Sequence, residues 1–137
     1  QYLLSALRFA PNDPYLLFNK GVILRNSGKP DSAMMSFRQA LYFDSTMYLA
    51  AYNLGVLAYQ KEDYQASAKA LQKAVDGNNQ LPGVESMLAY SYERLGNMEL
   101  AEKYYMNASA KAPNDKEINE GYARVTAKKM ATPAAKP

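Results

Sequence analysis

Between Tyr48 and Ala74 the chain reads YLAAYNLGVLAYQKEDYQASAKALQKA. Apolar and small residues recur at helical spacing on both sides of the polar turn Lys61-Glu62-Asp63: Leu54, Leu57 and Ala58 before it, Ala68, Leu71 and Val75 after it. That pattern predicts two helices folded back on each other. The same pattern overlays the chain again 34 residues earlier and later. Gly21, Gly55, Ala89 and Ala123 form one small-residue series at this spacing; Ala6, Ala40, Ala74 and Ala108 form a second, and Ala33, Ser67 and Ala101 a third. Bulkier residues recur in the same register, as Leu3, Phe37, Leu71 and Tyr105, and as Lys20, Leu54, Leu88 and Tyr122. Small side chains let neighbouring helix backbones approach, and a large side chain from the adjacent helix fills the space beside them.

A helix-turn-helix unit repeating every 34 residues is the tetratricopeptide signature, and residues 1–130 resemble that family. The resemblance implies an all-α fold, a right-handed superhelix or solenoid of antiparallel helical hairpins. The chain also departs from the family pattern. The large aromatic early in the first helix is replaced by Leu17, Ala51 and Glu85; the turn glycine of Gly28 and Gly96 is Glu62 in the middle; the closing proline of Pro11 and Pro113 is Ser45 and Asn79 between them.

In chain order, residues 1–13 read as the second helix of a preceding repeat, with Leu3, Ala6 and Leu7 in second-helix register. The chain opens inside this pattern without an initiator Met, as an excised piece would. Asp13 caps and Pro14 starts the first full hairpin, 14–47, whose turn is Ser27-Gly28-Lys29-Pro30. The second hairpin is 48–81, with Asp63 as a cap and mild strain expected at Glu62. The run Val75–Asn79 predicts that its second helix stops early, with Gly77 after its end. The third is 82–115, opened by Pro82 and turning at Gly96-Asn97. Residues 116–130 form a closing helix with Tyr122 and Ala123 in register and a largely charged remainder, which a stack of repeats needs at its end. Residues 131–137 read as a disordered tail.

Composition removes several function classes. The 137 residues contain neither Cys nor His, so thiol chemistry, Cys/His metal sites and an imidazole base are unavailable. The net charge of +3 comes from 16 basic and 13 acidic residues. The basic residues are scattered rather than striped, which argues against nucleic acid. No apolar run is long enough for a membrane span, and the lack of Cys leaves cytoplasm and periplasm equally open. No catalytic constellation is present, no cofactor is expected, and Glu62-Asp63 reads as turn chemistry. The chain is therefore expected not to be an enzyme.

In proteins of the family resembled, the first helices of the hairpins line a concave face that binds peptides or partner proteins. By register, that face takes Tyr15, Phe18, Asn19, Val22 and Arg25 from the first hairpin. The second supplies Leu49, Tyr52, Asn53, Val56 and Tyr59, and the third Ser86, Met87, Tyr90, Glu93 and Arg94. Glu120 and Arg124 follow from the closing helix. Phe18, Tyr52, Tyr59 and Tyr90 form an aromatic lining with polar tips, and the Asn19 and Asn53 amides each offer a donor and an acceptor to a ligand backbone. Family members that grip a C-terminal carboxylate use a basic and Asn clamp. Only Asn53 of it is present, with Phe18, Val22, Gly83 and Met87 at the other positions, so the lining fits an amphipathic helix or an apolar-rich extended segment. The rival expectation is a scaffold segment that self-associates through residues 1–10, where Leu3, Leu4 and Leu7 lack a hairpin partner.

Overall fold

A computed structural model describes residues 2–78 and 80–131. These form eight α-helices and no strand: α1 (Tyr2–Phe9), α2 (Pro14–Asn26), α3 (Pro30–Phe43), α4 (Tyr48–Gln60), α5 (Tyr64–Gly77), α6 (Val84–Arg94), α7 (Met98–Lys111) and α8 (Lys116–Ala131). Each helix packs on the next in sequence, giving a solenoid of helical hairpins. The even-numbered helices also meet across the stack, α4 with α6 and α6 with α8. The expected tail lies outside the described residues from 132 onward.

The three turns inside the hairpins share one hydrogen-bonded form. Gly28, Glu62 and Gly96 all have left-handed backbone, with φ of 75°, 61° and 85°. Their amides donate to Arg25, Tyr59 and Glu93, and the next amides (Lys29, Asp63 and Asn97) donate to Leu24, Ala58 and Tyr92 at 2.9 Å each. This is the Schellman arrangement, which satisfies the carbonyls left free at a helix end. The following helix is then capped where chemistry permits: Asp63 accepts from Ala66 N and Asn97 from Leu100 N. Lys29 has no capping side chain, and Pro30 sits at the first turn instead. Asp13 accepts from the amides of both Tyr15 and Leu16.

The small-residue series mark where helices touch. A Cβ on Gly21 would lie 2.6 Å from the Phe37 ring, and one on Gly55 would lie 2.6 Å from Leu71 Cγ. Ala33, Ala40, Ala74, Ala89 and Ala101 are fully buried, as are Phe37, Leu71 and Leu88. Two expectations fail at the edges. Ala123 is exposed, and the glycine that meets Tyr105 from α8 is Gly121. Gly21 and Gly55 face the second helix of their own hairpin. α8 packs on the preceding hairpin through Ile118, Gly121, Tyr122 and Val125, which leaves Ala123 outside that contact. The other failure concerns helix ends. α5 has the same 14 residues as α3 and α7 rather than stopping early. α6 starts at Val84 rather than Pro82, because Gly83 takes a left-handed φ of 68° before the helix begins. At the other end, α1 has no buried residue, and Tyr2, Leu4 and Phe9 are largely exposed.

Four of the buried polar side chains, Ser67, Glu85, Ser91 and Glu93, are paired. Glu85, at the slot filled by Leu17 and Ala51 in the other hairpins, is buried and accepts from Lys111 Nζ at 2.5 Å. Ser67 and Ser91, both buried, bring their hydroxyls to 3.1 Å. Glu93, expected on the concave face, is instead buried between α6, α7 and α8. Arg124 binds it bidentately through Nε and Nη2, and the Tyr105 hydroxyl donates to it at 2.8 Å. Burial alone would raise the Glu93 carboxyl, but the hydrogen bonds from Arg124 and Tyr105 and the charges of Arg124 and Lys128 outweigh it and hold it below the usual range. Burial, then the adjacent carboxylate, push the Tyr105 phenol far above its ordinary value, so it remains a donor.

Three outcomes follow. Gly55→Ala should destabilise the fold by about 1–3 kcal/mol in urea titration; an unchanged midpoint would contradict the Gly55–Leu71 contact. Glu62→Gly should raise stability by up to about 1 kcal/mol, since it relieves a non-glycine residue of left-handed backbone; a loss of stability would refute the strain. Glu93→Gln should lower stability by about 1–2 kcal/mol at neutral pH, because the partner arginine is half-exposed. The folded carboxyl lies below its unfolded value, so its contribution is complete above about pH 4.3 and is lost as pH falls through the lower folded value. The gap between wild type and Glu93→Gln should therefore close in acid; a gap constant from neutral to strongly acidic pH would contradict the pairing.

Candidate functional site

The even-numbered helices approach one another across the stack, so their shared face is the inner, concave one. Of the fifteen first-helix residues assigned to it by register, Glu93 is buried and the other fourteen are not. They divide into three groups by what they touch.

At the α2 end, Tyr15 and Asn19 are exposed, and Asn19 makes no side-chain hydrogen bond among the described residues. Phe18 is half-buried, its ring 5.6 Å from Phe37, and Val22 packs on the same cluster. In the middle, Arg25 Nη1 donates to Asn53 Oδ1, joining α2 to α4. Asn53 Nδ2 donates to Leu49 O at 2.8 Å. That amide is thus engaged inside the fold, while Asn19 is not. The Tyr52 hydroxyl donates to Pro82 O at 2.6 Å and pins the loop before α6, and burial raises its phenol. Leu49 stays exposed, and Val56 and Met87 close the floor against the core.

The third group is aromatic. The rings of Tyr59 and Tyr90 lie 6.0 Å apart edge to face, and Tyr64 completes the cluster at 6.1 Å from Tyr59 and 5.6 Å from Tyr90. Arg94 lies over Tyr64 at 5.2 Å and donates to the Tyr90 hydroxyl at 3.3 Å. Burial, the two neighbouring phenols and the charge of Glu117 all raise the Tyr59 phenol, so it stays neutral. Ser86 donates to Gly83 O at 3.1 Å at the base of α6. Tyr59, Ser86 and Tyr90 share a cavity of about 430 Å³ with the opening residues of α8. Tyr15, Phe18 and Val22 do not reach it.

Register did not identify Tyr64. It stands at the start of a second helix, at the position that holds Pro30 and Met98 in the other hairpins, so no periodic signal singled it out. Nor did register show that Arg124 is committed to Glu93, because that pairing spans 31 residues and depends on how α8 docks.

The arrangement offers ring surface, a few phenolic and amide groups and a shallow curved floor. It suits non-covalent capture of an extended or helical segment. The comparisons with known proteins agree with this architecture. A photosystem I assembly protein, Ycf3, of Acaryochloris marina (strain MBIC 11017) is 32% identical over 60 residues, covering 44% of this chain and 36% of that protein. The chain therefore spans little more than a third of that relative. The crystal structure of MamA superposes with a TM-score of 0.76 at 23% identity, covering 90% of this chain and 67% of that one. YrrB, described as a TPR protein with an unusual peptide-binding site, superposes at 0.78 and 22% identity over 94% of this chain and 66% of its own. The first TPR of Spaghetti (RPAP3), bound to the HSP90 peptide SRMEEVD, superposes at 0.65 and 18% identity over 88% of this chain and 97% of its own. Residues 14–46 and 86–115 match one family model of the tetratricopeptide repeat and residues 44–82 match another. With the 34-residue period and the shared turn geometry, these matches establish that the chain belongs to the tetratricopeptide repeat family.

Proposed function

We infer that the chain is a non-enzymatic protein-interaction module whose concave face holds an amphipathic helix or an apolar-rich extended segment of a partner. The observation that carries this reading is the aromatic cluster of Tyr59, Tyr64 and Tyr90, on a face where, Glu93 apart, none of the first-helix residues assigned by register is buried. Rings with polar tips supply contact area at low entropic cost and tolerate varied ligand backbones. YrrB, with its unusual peptide-binding site, and RPAP3, bound to an HSP90 peptide, are peptide-binding proteins of similar architecture. They support the class of ligand and not its sequence. The HSP90 peptide bound by RPAP3 is acidic at its C-terminal end. Here the positions of a carboxylate clamp hold Phe18, Val22, Gly83 and Met87, so that ligand class is disfavoured.

The engaged groups and the free ones divide the work. Asn53 and Tyr52 shape the face, since their polar atoms are bonded within the fold. Asn19, Leu49 and Tyr15 present free surface to a ligand.

A phage-displayed library of random peptides panned on the chain tests this. Peptides enriched by the wild type should bind Tyr59→Ala/Tyr90→Ala at least about tenfold more weakly, a loss of 1.4 kcal/mol, provided the variant melts as a folded helical protein. Lys69→Ala, on the exposed surface of α5, should leave binding intact. If the α5 variant loses binding and the groove variant keeps it, the site lies on the outer face.

A further inference from the structure

The cavity shared by α4, α6 and α8 carries chemistry that the apolar lining does not explain. One wall is aromatic, formed by Tyr59 and Tyr90. The opposite wall is the start of α8, with Asp115, Glu117 and Glu120. Its one cation, Arg124, is bound to buried Glu93 and so is already compensated. Asp115 caps α8 by accepting from Ile118 N, and Glu120 has Lys116 at 3.8 Å on the solvent side. Glu117 has no ion pair among the described residues, and its charge reaches the Tyr59 phenol. Arg94, the nearby cation on α6, does not line the cavity; it lies over Tyr64 and Tyr90.

We propose that this cavity is the receptor for one basic side chain, arginine or lysine, carried by the partner segment that lies along the concave face. Three features converge. The aromatic rings offer faces that attract a guanidinium or ammonium group, as Arg94 shows over Tyr64 and Tyr90. The unpaired carboxylate of Glu117 supplies a charge acceptor, with Asp115 and Glu120 adding to the same field. At about 430 Å³ the cavity lies toward the small end of ligand pockets, suited to a single long side chain and not to a whole helix. Charge complementarity decides against an acidic occupant, which would face three carboxylates. The proposal rests on the groove reading for the source of the cation. It gives the partner a polarity: apolar residues toward α2 and α4, and a basic residue toward α8.

The test is an NMR titration of the isotopically labelled chain with n-butylguanidinium chloride, with sodium butyrate in parallel. Butylguanidinium should shift the amides of Ser86, Tyr90 and Glu117 in a saturable way, and butyrate should not. Glu117→Gln/Glu120→Gln should weaken the guanidinium response at least about threefold, the scale of exposed ion pairs. Glu99→Gln, an exposed carboxylate on α7, should not. In the wild type, the response should also fall when the salt is raised from about 0.02 to about 0.5 M, since the charges are partly open to solvent. Equal shifts from butyrate, or a response undiminished by salt, would overturn the cavity's cation preference without reference to any variant. Saturation by spermidine at concentrations where butylguanidinium produces no shift would assign the cavity to a free polyamine and overturn the partner-borne side chain. The two readings fail separately: peptide binding that ignores Tyr59 and Tyr90 rejects the groove, whereas an absent guanidinium response rejects only the receptor.

Discussion

The structure depends on large side chains set against helix backbones that carry almost nothing. Phe37 lies over Gly21, Leu71 over Gly55 and Tyr105 over Gly121. Each contact fixes how closely two helices approach, and therefore the angle at which the next hairpin leaves. Because every hairpin touches only its neighbours, that angle accumulates along the stack. The consequence is a curved stack in which even-numbered helices meet across one face. Curvature, and with it a concave surface, is thus the outcome of a volume rule repeated at fixed spacing.

The two buried carboxylates of this stack are both paired. Glu85 with Lys111 stands where the other hairpins place Leu17 and Ala51, and Glu93 with Arg124 and Tyr105 ties α8 to the body. Burying a carboxylate without such partners would be costly, and the depressed Glu93 carboxyl is the signature of full compensation. Gln72 plays a neutral version of the same part, donating to Tyr104 at 2.8 Å and accepting from Tyr92 at 2.7 Å, so that α5, α6 and α7 are linked through one amide. These ties hold the α8 wall at a fixed distance from Tyr59 and Tyr90, and the cavity between them exists because α8 is anchored.

The parts legible in the sequence are those governed by local chemistry. The turn positions 28, 62 and 96 and the caps Asp13, Asp63 and Asn97 require particular residue types at particular offsets, and all behave alike in the structure. Helical register also gives an expectation of which side chains of the first helices share a face. What register cannot supply is the identity of the neighbour across a gap. Glu93 and Arg124 both read as groove residues because each sits at a groove-facing position on its own helix; only the docking of α8 shows that they consume each other. Ala123 kept the period, yet α8 meets Tyr105 through Gly121 instead. Asn53 looked like a ligand clamp because its chemistry suits one, but Leu49 and Arg25 occupy its amide first.

The central claim is that the concave face, and not the outer surface, receives the partner. Photo-crosslinking tests it without disturbing the packed core. With Leu49→p-benzoylphenylalanine on the inner face and Lys69→p-benzoylphenylalanine on α5, irradiation in the cells that express the protein should give a discrete adduct from position 49 and none from position 69. Adducts from position 69 alone would place the partner on the outer surface and contradict the account.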